Sequence, residues 1–166
     1  MTELQTLLER FRRGPELLAE SLASVTDAEL DFVPAPGKWS IRQIAAHVSD
    51  SELVGADRFR RILAEENPSI ISYDQDAWAN RLDYATRDPK QSLRMFESVR
   101  SETYDLLKAR PEADFERTAN HSERGKVTLL QLLHIYTAHP EKHAAQIGAL
   151  RKQFETQLET QERSSQ

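Results

Sequence analysis

The chain contains no cysteine, which excludes disulfides, a cysteine nucleophile and thiolate ligation, so any metal must be held by nitrogen and oxygen. Glycine is scarce, at 5 of 166 residues, and β-branched runs are few, which disfavours a turn-rich sheet protein. No stretch approaches the roughly 20 apolar residues of a membrane span. The charged start, MTELQTLLERFRRGPELL, also lacks the uncharged centre of a signal peptide. Basic residues alternate with acidic ones, and the formal net charge is −5. A chain of that kind has no phosphate-binding stripe, so neither nucleic acid nor a membrane is the expected partner, and the cytoplasm is the default location.

What is abundant is Leu, Ala, Glu, Gln and Arg, which favour helices. The length suits one domain that buries a core without staples. Patterning predicts an all-α protein with four long helices in a single domain over 1–155, followed by a frayed polar tail over 156–166. A first helix over 3–24 is kinked or divided where Pro15 follows Gly14. "TDAEL" has room for one helical turn, and the prolines of "VPAPGK" stop regular structure. A second helix starts at a Ser40–Gln43 capping box and carries an apolar stripe to about residue 66. The long connection over 68–87 holds a short helical piece near 76–82. A third helix starts with Asp88 as cap and Pro89 at its first position. After the polar loop "EADFERTANHSERGK", a Thr128–Gln131 capping box starts the last helix, expected to end near Phe154.

Five histidines carry most of the chemical signal. In "LLHIYTAHPEKHAAQIGALR", His139 and His143 are four residues apart, about 40° on a helical wheel, and share a face with Leu132, Ile135, Tyr136, Gln146 and Leu150. They read either as ligands of one ion or as a core histidine beside a solvated one. Pro140 lies between them, removes the bond to the Tyr136 carbonyl, and predicts a bend near 136–140. His47 borders the stripe of the second helix. With the pair it would make a three-nitrogen set with open positions; alone it reads as a boundary histidine. His134 faces elsewhere on the wheel. His121 lies on the loop before the last helix, where it reads as an acid/base group or a turn residue.

"GKWSIRQIAAHVSDSE" and "IYTAHPEKHAAQI" together resemble the Trp-Ser/Thr-x-x-Gln-x-x-x-His-x-x-Asp and Tyr-x-x-His-x-x-x-His-x-x-x-Ile segments of the DinB superfamily. "ENPSIISYDQDAWANRLD" and "NHSERGKVTLLQLL" are similar to connecting segments of its YfiT branch and bacillithiol transferase relatives, so the resemblance covers residues 30 to 150. It implies a four-helix bundle with a long connection between helices 2 and 3. It also implies that His47, His139 and His143 hold one divalent metal ion, nickel or zinc, and that the chain is a homodimer. The implied activity is metal-dependent hydrolysis of a small substrate or transfer of a low-molecular-weight thiol, the alternative being a non-catalytic metal-binding stress protein. The chain departs from the pattern at Lys142 and Gln146, where relatives often carry histidine, and at Pro140, where glycine is common.

For hydrolysis, His121 and Glu123 are the candidate catalytic pair, since a loop at a helix end can reach over a metal in the bundle. Thiol transfer would need a thiol cosubstrate, because the chain supplies none. Tyr73, Trp78 and Tyr136 are candidate substrate-pocket walls, or packing of the long connection onto the bundle. Asp50, three residues after His47, reads as a partner orienting an imidazole or as a solvated carboxylate.

Overall fold

Four reciprocal capping pairs fix where helices begin: Thr2 with Gln5, Thr26 with Glu29, Ser40 with Gln43 and Thr128 with Gln131. In each, the hydroxyl accepts the amide three residues on while the longer side chain accepts the cap amide, so two otherwise open donors are satisfied. The computed structural model describes residues 2–164. Its helices are α1 (Glu3–Arg12), α2 (Gly14–Leu22), α3 (Asp27–Asp31), α4 (Ile41–Ala64), α5 (Gln75–Arg81), α6 (Pro89–Lys108) and α7 (Leu129–Ser164). α1 and α2 form one arm broken at Arg13, and this arm packs with α4, α6 and α7 as a four-helix bundle. No helix among the described residues is long and apolar enough to cross a membrane.

Two parts depart from the sequence expectation. The last helix does not fray near Phe154 but continues to Ser164, with Thr156, Thr160 and Ser164 hydroxyls bonding carbonyls one turn back. Its polar composition is that of a solvated helix, rich in Glu and Gln and without Gly or Pro to stop it; residues 165 and 166 lie outside the described residues. The supposed polar loop contains two strands, β2 (Thr118–His121) and β3 (Gly125–Thr128), paired antiparallel. β1 (Ser69–Ile70) joins them parallel to β2. Such short strands lack a readable alternation, and only Gly125, at φ 71°, marks the tight connection.

The core has two apolar clusters. Leu7, Phe11, Phe59, Leu129, Leu133 and Tyr136 dominate one, and Leu18, Ile44, Val48, Phe96 and Ile147 the other. Between them lies Arg100, 1% exposed, its guanidinium 3.8 Å from the Phe11 ring centroid and 4.9 Å from that of Phe96. It donates two bonds to Glu52, at 2.7 and 2.6 Å. It also donates to the carbonyls of Phe11, at 2.6 Å, and Tyr136, at 3.1 Å. These two carbonyls stand four residues before Pro15 and Pro140, which have no amide to give them. One side chain therefore satisfies both acceptors that the two prolines leave open. α7 continues through Pro140 as helix, and its partner for the freed carbonyl comes from α6.

Replacing Arg100 by Met leaves Glu52 buried without a partner and both carbonyls unsatisfied. The expected loss is about 3–5 kcal/mol of unfolding free energy, measured by urea titration. A loss below about 1 kcal/mol would contradict this account of the core.

Candidate metal centre

His47 projects from the second turn of α4, a 24-residue helix, towards α7, where His139 and His143 follow one another by a helical turn. The Nε2 atom of His139 lies 3.0 Å from that of His47 and 3.2 Å from that of His143. Three nitrogens held at ~2.1 Å by one ion, at angles between tetrahedral and octahedral, would stand roughly 3.0–3.4 Å apart. The tertiary structure thus brings together all three residues that sequence singled out as ligands, and among the described residues no carboxylate joins their cluster.

Protons alone do not account for this geometry. His143 Nδ1 lies 2.9 Å from Gln146 Oε1, an acceptor, so it holds the proton of the neutral ring and its Nε2 presents a lone pair. His139 Nε2, facing two nitrogens, has at most one proton to give and can satisfy only one of them. Burial first, then the neighbouring His143, pushes His47 down to about 3. Burial, then His143 and His47, pushes His139 down to about 2. Burial also lowers His143, against the opposing effect of Gln146. Neutral imidazoles with converging lone pairs form a socket for a divalent cation.

The surroundings hold the rings in place. Trp39 packs on His47 with centroids 4.8 Å apart. The Tyr136 ring lies between Phe59 and His139, at 5.6 and 6.4 Å. Gly55 makes room for it, since a Cβ there would run into the Tyr136 ring. Gln146 is the residue that fixes the His143 tautomer. Asp50 does not touch an imidazole. It is buried, accepts from the Tyr84 hydroxyl at 2.8 Å and pairs with Arg87 at 2.7 Å, which fastens the connection after α5 onto α4. Burial, then this bond, raises the Tyr84 hydroxyl.

A cavity of about 500 Å³ opens beside the cluster, with His139 in its wall. Of the candidate pocket residues, Tyr73 and Tyr136 line it, as do both candidate catalytic residues, His121 and Glu123. Trp78 stands behind the wall, its ring 4.5 Å from that of Tyr73. His121 is on strand β2 rather than a loop, and its Nδ1 accepts the Glu123 amide at 3.2 Å. Neutral His121 therefore carries its proton on Nε2, and burial, then Arg58 and Arg124, lowers it towards that neutral form. Glu123 is exposed at the rim. His134, set aside on the helical wheel, also lines this cavity without joining the cluster. A second cavity, of about 530 Å³ between α2, α3 and α6, contains no histidine.

Two outcomes follow from the geometry. Gln146→Leu should weaken binding of zinc or nickel by about tenfold or more, read by competition with a chromophoric chelator. An unchanged affinity would remove Gln146 from the site. His47 and His139 are neutral when folded and protonated when unfolded between about pH 6.5 and pH 3, and burial lowers His143 in the same direction, so the unfolded state binds more protons there. The metal-free chain should accordingly lose stability as pH falls through that window. Each ring that stays neutral across the window contributes up to about 1.4 kcal/mol per pH unit. His139→Phe should flatten the slope in urea titrations, and an unflattened slope would show that His139 is not buried neutral.

Comparison with known proteins agrees with this architecture. The family model of the DinB superfamily matches residues 10–147. A Bacillus licheniformis protein provisionally named a metal-dependent hydrolase is 32% identical over 153 residues, which span 92% of this chain and 87% of that protein. The structure of YfiT from Bacillus subtilis, described as an unusual four-helix bundle, superposes with a TM-score of 0.86 at 28% identity, covering 93% of this chain and 90% of that one. A mycothiol-dependent maleylpyruvate isomerase shares the fold at a TM-score of 0.71 and 15% identity, over 89% of this chain and 61% of its own. By a family match along most of its length, and by relatives above 30% identity, the chain belongs to the DinB superfamily.

Proposed function

We propose that this chain is a divalent-metal-dependent enzyme in which His47, His139 and His143 hold nickel or zinc and a small molecule reacts in the cavity beside His139. The convergence of three neutral imidazole nitrogens at the wall of that cavity carries this reading. The names of its relatives support metal dependence. An ion bound by three neutral ligands keeps its double charge and lowers the pKa of a thiol or water brought to it.

Of the two chemistries, the wall of the cavity favours transfer of a low-molecular-weight thiol. Hydrolysis asks for a base beside the attacking water. The nearby α4 carboxylates, Asp50 and Glu52, are committed to Arg87 and Arg100, and His121 presents a donor. Glu123 at the rim is the remaining carboxylate of the cavity. Thiol transfer asks only that a sulfur and an electrophile be held together out of water. The S–H proton passes to solvent, a sulfur–carbon bond forms, and the leaving group departs with the electrons of the broken bond. The chain has no cysteine, so the sulfur comes from a cosubstrate. His121 lines the cavity, and its Nε2–H would donate to charge that develops on the electrophile. Hydrolysis is the second reading, favoured by the names of the relatives and by Glu123 as base. A cytoplasmic homodimer acting on a small molecule, without nucleic acid or membrane, completes the proposal.

The metal-loaded protein should be mixed with an electrophilic dye and a panel of small thiols, beside a panel of esters and amides. Turnover should require a thiol and fall at least a hundredfold in His139→Ala, which loses a ligand of the ion. Turnover of esters without thiol would select hydrolysis with Glu123 as base. Failure of every substrate with a stoichiometric ion bound would leave a metal-binding protein, and failure to bind an ion would end the proposal.

A further inference from the structure

Arg58 occupies an unusual position on α4. It is only 9% exposed, yet it makes no ion pair among the described residues. Every nearby acid of its own helix is committed elsewhere: Asp57 to Arg61, Asp50 to Arg87 and Glu52 to Arg100. Its Nη1 donates to the Tyr136 hydroxyl at 3.2 Å and its Nη2 to the Ile71 carbonyl at 2.6 Å, both uncharged acceptors. A guanidinium has five N–H groups, so these two bonds leave donors over, and the buried Nε has no partner. A buried cation without a counter-charge is costly unless something else supplies the charge.

The space that can supply it is the cavity beside the histidines. Arg58 is in its wall, with Ser51, Tyr73, His121, Arg124 and Lys142. Arg124 and Lys142 are exposed at the mouth and make no ion pair among the described residues. The Tyr73 hydroxyl is buried beside Ser51 without a hydrogen bond of normal geometry. Against these donors the wall offers a single carboxylate, Glu123, at the exposed rim. Although the whole chain is acidic, with a net charge of −5, this cavity is basic. The fixed planar fork of Arg58 suits a planar two-oxygen acceptor, and cations at the mouth would draw an anion in.

We propose that the cavity binds a carboxylate-bearing small molecule whose carboxylate pairs with the buried Arg58 while its reactive end lies towards His139. The Tyr136 side chain links the two ends, bonded to Arg58 through its hydroxyl and packed by its ring near His139. This makes Arg58 a specificity-determining residue. It deepens the function proposed above and rests on it for the reaction, while the binding step stands apart from the ion.

The full-length chain, with and without zinc, is titrated by calorimetry with benzoate and succinate and, in parallel, with benzamide and succinamide. The carboxylates should bind at least tenfold more tightly than the amides in both states, with affinity falling as salt rises. Arg58→Gln should weaken carboxylate binding at least tenfold while zinc affinity stays within twofold of the unaltered chain. Should Arg58→Gln not fold, the comparison of carboxylate with amide on the unaltered chain decides, together with Arg124→Gln and Lys142→Gln, each expected to weaken carboxylate binding about threefold. Equal affinity for carboxylate and amide would overturn the inference. So would carboxylate binding that requires zinc, which would place the anion on the ion, or an unchanged affinity in a folded Arg58→Gln. Zinc held without carboxylate binding would defeat this inference alone, and carboxylate bound without zinc affinity would defeat the metal centre alone.

Discussion

The buried guanidinium of Arg100 is the contact on which the arrangement of this bundle depends. Two prolines, in different helices, each deprive a carbonyl of its helical donor, and both carbonyls lie in an interior that water does not reach. Arg100 serves both and takes its counter-charge from Glu52 on α4, so one residue of α6 joins the α1–α2 break, α4 and α7. Gly14 belongs to the same arrangement, because a Cβ there would come within 2.7 Å of the Arg100 guanidinium and 3.0 Å of the Pro140 ring. A buried ion pair adds less stability than apolar packing of the same volume. Its value here lies in fixing how four helices meet.

That constraint has a chemical consequence. The Tyr136 carbonyl held by Arg100 is three residues before His139, and Glu52, held by the same group, is five residues after His47. Holding the Glu52 carboxylate and the Tyr136 carbonyl on one guanidinium sets the facing register of α4 and α7, which the imidazole cluster requires to within a few tenths of an ångström. On the other side, the small sheet and the chain after α4 close over Tyr136 and form the cavity wall. The acidic residues of α4 are each engaged structurally, and Arg58 alone of the buried cations is left facing the cavity without an acid.

Much of this was legible in the sequence because it is local. Capping boxes at Ser40 and Thr128, proline at the first position of α6 and the 3.6-residue apolar stripes depend only on neighbours along the chain. The His139–His143 spacing is local in the same sense. The strands around His121 were not legible, since their pairing partners lie at residues 69–70 and 125–128 and their own pattern is too short to show a period. Asp50 was equally opaque: its place three residues after a histidine suggested an imidazole partner, but Tyr84 and Arg87 reach it from a later segment. The tail past Phe154 was misread because polarity marks exposure, not the absence of helix.

By itself the sequence determined most of the helices and their starts, the absence of any thiol, and a pair of imidazoles on one helical face with a third at the border of another apolar stripe, because propensity, capping and periodicity are properties of adjacent residues. Only the tertiary structure decided that the three Nε2 atoms meet, that Gln146 sets one tautomer, that one arginine answers both prolines, and that another lies buried without an acid. Apart from the bond between Gln146 and His143, which are three residues apart, each of these is a relation between residues far apart in the chain, and no spacing along the sequence encodes which distant group will satisfy a buried donor or acceptor.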